Sequence, residues 1–178
     1  MKRKVTALLV LVLALSFAGC RSRTDKSEGT VILSISSFTT LPTTISATSG
    51  PFVISQITVS NVPKDPTGTT SSLQTVEIRS YEVTYTRRDT GTHLPPTLAA
   101  TLFSNAAVGA NVSFSNLPFM LSDQTLNPPL LDLARNGVDG ETGSTVIVLD
   151  VHIRFFGRTL AGDDVVSQTA SFTIEVTK

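Results

Sequence analysis

In residues 147–155 the positions Ile147, Leu149, Val151, Ile153 and Phe155 are all apolar, with Asp150, His152 and Arg154 between them. Successive side chains of an extended strand point to opposite faces, so this spacing makes one apolar and one charged face; a helix would scatter the same residues around its circumference. The pattern returns at Ala170, Phe172, Ile174 and Val176, which alternate with Ser171, Thr173, Glu175 and Thr177. A strand pair with one apolar face must bury it under a second layer. Residues 157–164, Gly-Arg-Thr-Leu-Ala-Gly-Asp-Asp, read as the hairpin loop joining the two strands.

Further strands follow from the enrichment in Thr, Ser, Val and Ile between Pro- and Gly-containing breaks: 31–35, 52–60, 76–87, 98–103 and 111–116. The strand at 76–87 carries a parity fault. Tyr81, Val83 and Tyr85 point one way while Val76 and Ile78 have the opposite parity, so a regular strand cannot bury both sets. A bulge at Arg79 or Ser80 repairs it. One short helix is expected near 127–136, with Asn127 as cap, Pro128 in its first turn, Leu130, Leu133 and Ala134 on one face, and Asn136-Gly137 as a left-handed exit. It would cover one end of the fold. Residues 61–74, with Pro63, Pro66 and Gly68, read as a long polar loop. The expectation is an all-β, antiparallel β-sandwich of about seven strands.

The N-terminus has a different character. Lys2, Arg3 and Lys4 precede an apolar run from Val5 to Leu15, then Ser16-Phe17-Ala18-Gly19-Cys20, and Cys20 is the only cysteine in the chain. A basic head, a short apolar stretch and small residues before a cleavage point form a secretory signal. The apolar run falls short of the ~20 residues of a spanning helix, and a lone cysteine cannot form an internal disulfide. The ending Phe17-Ala18-Gly19-Cys20 resembles the lipobox of bacterial lipoproteins. That resemblance implies cleavage before Cys20 and lipid on its thiol, hence a membrane partner, a place in the cell envelope, and, because Arg21 rather than Asp follows, the outer membrane if the source is diderm. Residues 1–19 are then the signal peptide, 20–29 a lipidated polar tether and 30–178 the sandwich. The rhythm over 31–176 resembles immunoglobulin-like or fibronectin type III-like sandwiches of cell-envelope lipoproteins.

Charge and motif content narrow the function. The chain carries 14 basic and 14 acidic residues; loss of Lys2, Arg3 and Lys4 with the signal leaves 11 against 14. A slightly acidic mature surface has no electrostatic attraction for nucleic acid. The only histidines, His93 and His152, form no H-E-x-x-H pair and read as surface residues. G-x-S-x-G, S-x-x-K and phosphate-loop patterns are absent, so no catalytic activity and no cofactor are expected. Asn136, Asp139 and Glu141, and separately Asp163 and Asp164, offer oxygen ligands without the spacing of a calcium loop. A strand between the two groups keeps them about 40 Å apart. Sugar binding favours exposed flat aromatics, but Trp is absent and Tyr81 and Tyr85 share the core parity of Val83. A calcium- or carbohydrate-binding module is therefore the less favoured reading. The favoured one is a lipid-anchored interaction module with an envelope protein partner; the alternative is a structural or accessory subunit. No motif names a small-molecule ligand. Arg158, Leu160, Asp163 and Asp164, which mix apolar and charged groups in the loop before the last strand, are the candidate partner contacts.

Overall fold

The computed structural model describes residues 29–39 and 41–178. The expected signal at 1–19, Cys20 and the tether up to residue 28 lie outside the described residues. Nine strands are present among them: β1 (Val31–Thr39), β2 (Thr44–Ser46), β3 (Phe52–Pro63), β4 (Val76–Arg87), β5 (Leu98–Ala106), β6 (Asn111–Met120), β7 (Ile147–Thr159), β8 (Asp164–Val166) and β9 (Ala170–Thr177). Two short helices, α1 (Ser122–Thr125) and α2 (Leu130–Asn136), lie between β6 and β7, and a 3-10 turn at Ser72–Gln74 precedes β4. One sheet has the order β1-β3-β6; the other runs β2-β9-β7-β4-β5, with β8 paired to β7. The chain thus folds as an all-β sandwich, and consecutive strands β3 and β4, and β5 and β6, pass from one sheet to the other.

Alternation explains the core. Ile147, Leu149, Val151, Ile153 and Phe155 are fully buried, as are Ile174 and Val176 of the neighbouring strand. Tyr81 and Tyr85 are buried too, and their hydroxyls donate to the carbonyls of Pro118 and Phe119 on the opposite sheet. A buried hydroxyl needs such a partner, so the two tyrosines tie the layers together as well as filling space. Burial pushes the Tyr81 phenol up to about 12 and raises that of Tyr85 further. Phe155 lies between Tyr81 and Phe114, at centroid distances of 6.0 and 5.4 Å.

The parity fault in β4 is resolved by a bulge. Its register with both neighbours slips between Ile78 and Ser80: against β7 Arg79 is the extra residue, against β5 it faces both Leu102 and Phe103, and Val76, Ile78, Tyr81, Val83 and Tyr85 are all buried. Gly157 stands opposite, where a Cβ would fall 2.6 Å from the Glu77 carbonyl oxygen and 2.7 Å from Val76 Cγ1. Only glycine allows β4 and β7 to approach this closely.

Several expectations are corrected. Strands number nine rather than seven, because β2 and β8 are three-residue strands whose identity comes from their partners. β2 pairs parallel to β9, so the sandwich is not wholly antiparallel. The expected hairpin loop shrinks to residues 160–163: Gly157 and Arg158 lie in β7, paired with Val165 and Asp164 of β8. Residues 61–74 are not one polar loop, since β3 continues to Pro63 and Ser71 with Gln74 forms a capping box around the 3-10 turn. Two helices replace one. Asn127 closes α1 by donating Nδ2 to the Asp123 carbonyl at 2.6 Å, so α2 begins only at Leu130; its exit at Gly137, φ 77°, is where the sequence placed it. No helix among the described residues is long and apolar enough to cross a membrane.

Candidate interaction face

The strand ends divide into two groups. Gly29, the 3-10 turn, the β5–β6 turn and residues 160–163 share one end, here the tether end. Both helices, β2, the loop after β4 and residues 139–146 share the other, the helix end. Asn61 organises the first. It is fully buried, and its Nδ2 donates to the carbonyls of Gln74 (3.0 Å) and Ala106 (2.8 Å). Its backbone pairs with Gly109 and Ala110, and the N–H groups of Leu160 and Ala161 reach the carbonyls of Thr75 and Leu73. Three loops are thereby fastened to one another.

Arg87 organises the helix end. Its guanidinium is 1% exposed, donates to Asp89, and donates to the equally buried Asp139 at 2.8 Å. Asp139 also accepts from the Thr142 N–H and hydroxyl. Glu141 accepts from the Thr92 N–H and hydroxyl and from the His93 N–H. Burial disfavours the Asp139 charge, but the hydrogen bonds from Arg87 and Thr142 outweigh it and hold the carboxyl at about 2. Donation from the His93 backbone, then from Thr92, brings Glu141 to about 2 as well. The Asp139 and Glu141 oxygens are thus engaged by donors within the loops. Among the described residues no group of three or more His, Cys, Asp or Glu is placed to hold one ion, and Asp163 and Asp164 lie at the opposite end of β7 from Asp139.

The outer face of the larger sheet, near the tether end, carries the most unusual surface. The bulge turns Arg79 outward, where it pairs with Glu77 at 2.6 Å. On one side of it Phe103 of β5 is 86% exposed, although a solvent-facing strand position ordinarily carries a polar residue. On the other side lie Phe156, with the Arg154 guanidinium 5.8 Å above its ring, and the half-exposed Val166 of β8. Arg79 borders two shallow open hollows, one shared with Glu77, Phe103 and Asn105, the other with Phe156, Arg158, Asp164 and Val166. The result is a continuous strip, apolar at both ends and charged in the middle. Such a surface suits contact with another macromolecule better than enclosure of a small ligand.

Two of the four residues expected to form a partner contact, Arg158 and Asp164, border this strip. Arg158 Nε donates to the Gly162 carbonyl at 2.9 Å and lies 3.7 Å from an Asp164 oxygen. Leu160 and Asp163 belong instead to the turn at the tether end, where the Asp163 N–H donates to the Thr159 hydroxyl. Phe103 was missed. It has the opposite parity to Leu98, Ala100 and Leu102, which face inward, and that alone marks it as outward-facing. His152 lies on the same outer face, with Nε2 2.8 Å from the Thr86 hydroxyl and Nδ1 2.7 Å from the Ser171 hydroxyl. Comparison with protein-family models, curated proteins and solved structures finds no match to this chain.

Proposed function

We propose that this chain is a non-catalytic interaction module, held at the cell envelope by lipid on Cys20, that meets an envelope protein partner through the strip from Phe103 across Arg79 and Phe156 to Val166, with Arg158 and Asp164 on its rim. The observation that carries the reading is Phe103, an almost fully exposed aromatic beside an arginine. Aromatic and arginine side chains are enriched at protein contacts and among the few residues that carry most of their binding energy. The strip lies on a sheet rather than on loops, so its geometry is set before any partner arrives.

The test is crosslinked recovery of the partner from envelopes carrying Phe103→Ser together with Val166→Ser. Recovery is expected to fall about tenfold or more, as for loss of a contact hot spot, with the circular dichroism spectrum unchanged. Replacing Arg158, Leu160, Asp163 and Asp164 by Ser is expected to have a smaller effect, since only two of them border the strip. Full recovery with Phe103→Ser and Val166→Ser in a folded protein refutes this placement.

A further inference from the structure

We infer that the tether end of the sandwich rests on the bilayer surface, with Leu73 and Leu160 entering the lipid interface; this rests on the reading of Cys20 as the lipidated residue. The first support is where the chain enters the domain. A Cβ at Gly29 would lie 3.3 Å from Val165 Cγ2 and 3.6 Å from the Asp163 Cβ, so the chain arrives against β8 and the 160–163 turn. Gly29 is the ninth residue after Cys20, so the two cannot be more than about 32 Å apart even at full extension. β7 alone, with 13 residues, is about 43 Å long at the usual strand rise. The anchor is therefore short against the domain, and the end it leaves from is the end held at the membrane.

The second support is the surface presented there. Leu73 and Leu160 are 55% and 52% exposed, and the Ala161 N–H bond to the Leu73 carbonyl, 3.0 Å, holds their two segments side by side. The Asn61 hydrogen bonds fix that end, so the leucines are offered without a loop-ordering cost. Charge selects the lipid class. Asp65, Asp163 and Asp164 stand against Lys64 and Arg158 at this end, and Asp25 and Glu28 against Arg21, Arg23 and Lys26 between it and Cys20, five acidic and five basic residues in balance. Zwitterionic headgroups fit this balance, which has no excess of positive charge to draw anionic lipid. Two leucines would bind a bilayer weakly by themselves. Tethering makes the contact intramolecular, at an effective concentration where a weak contact is occupied. In this orientation the Phe103 strip stands on the flank of the domain, open to a neighbour on the same membrane.

The absence of Trp in the chain makes the test direct. Leu160→Trp places a single reporter at the tether end, and Leu126→Trp, at a position 62% exposed beside α1, places one at the helix end. Each full-length, natively processed protein is reconstituted into vesicles of phosphatidylcholine and phosphatidylethanolamine with brominated acyl chains. Emission from position 160 is expected to shift to the blue and to be quenched at least about twofold, as for a side chain several ångströms into the interface, with position 126 unaffected. Adding Leu73→Asp to Leu160→Trp is expected to abolish the quenching while circular dichroism shows an intact fold. Equal quenching at 160 and 126, or none at 160, overturns the docking. The mass of the N-terminal peptide from the same vesicles separates the two possible failures. A lipid-bearing Cys20 with unquenched Trp rejects the docking alone, whereas an unmodified Cys20 rejects the anchor and with it the orientation.

Discussion

At the tether end a neutral amide, Asn61, gathers three loops; at the helix end a guanidinium, Arg87, gathers Asp89 and Asp139 and lies 3.6 Å from Glu141. Both side chains are buried, and each keeps one polar atom without a hydrogen bond, Oδ1 in Asn61 and Nη1 in Arg87, the latter being the atom that faces Glu141. An amide costs less to bury than a charge and does not titrate, so the three loops gathered at Asn61 are joined there by neutral hydrogen bonds. A guanidinium is costly to desolvate and is kept because two carboxylates accept its hydrogen bonds and offset its charge. Gly91 completes that site: a Cβ there would fall 2.1 Å from Arg87 Cζ, so the loop can lie against the guanidinium only as glycine. The two ends show one task, closing a sandwich over loops, met by a pH-indifferent device and by a pH-sensitive one.

The largest expected effect breaks the helix end. Arg87→Met leaves Asp139 buried and uncompensated and should cost about 3 to 5 kcal/mol in denaturant titration. Adding Asp139→Leu removes the stranded charge and should recover much of that loss. If the double variant is as unstable as the single one, the ion pair is not what closes this end. At the tether end, Asn61→Leu keeps the volume but leaves the Gln74 and Ala106 carbonyls without their donor, at an expected cost of about 1 to 3 kcal/mol. A loss equal to that of Arg87→Met would erase the distinction between the two closures.

Acid should produce the smallest effect, confined to one end. Asp139 and Glu141 are held at about 2, below their ordinary values of 3.8 and 4.5. A lowered carboxyl value means stabilisation that is complete above the ordinary range and is lost as pH falls from there through about 2. Hydrogen exchange should therefore show the Thr92, His93 and Thr142 amides losing protection between pH 4.5 and 2. The Leu160 and Ala161 amides, whose acceptors are backbone carbonyls, should remain protected by comparison. Uniform loss across both sets would mean that acid acts on the whole sandwich rather than on the Arg87 cluster.

What the order of residues determined by itself is the part governed by local rules. Alternation in β7 and β9 follows from the two-residue repeat of a strand, and the bulge at Arg79 follows from a parity conflict within β4. Asn136-Gly137 predicted the exit from α2 because a left-handed residue is a local requirement. The outward parity of Phe103 is local too, since it alternates with Leu98, Ala100 and Leu102. Tertiary structure decided the rest. β2 and β8 are too short to carry a period and exist only through β9 and β7. The burial of Asn61 depends on acceptors 13 and 45 residues away, and that of Arg87 on Asp139, 52 residues along the chain. Whether a polar side chain lies in water or in the core is fixed by the partners that reach it, and no local pattern encodes partners at that distance.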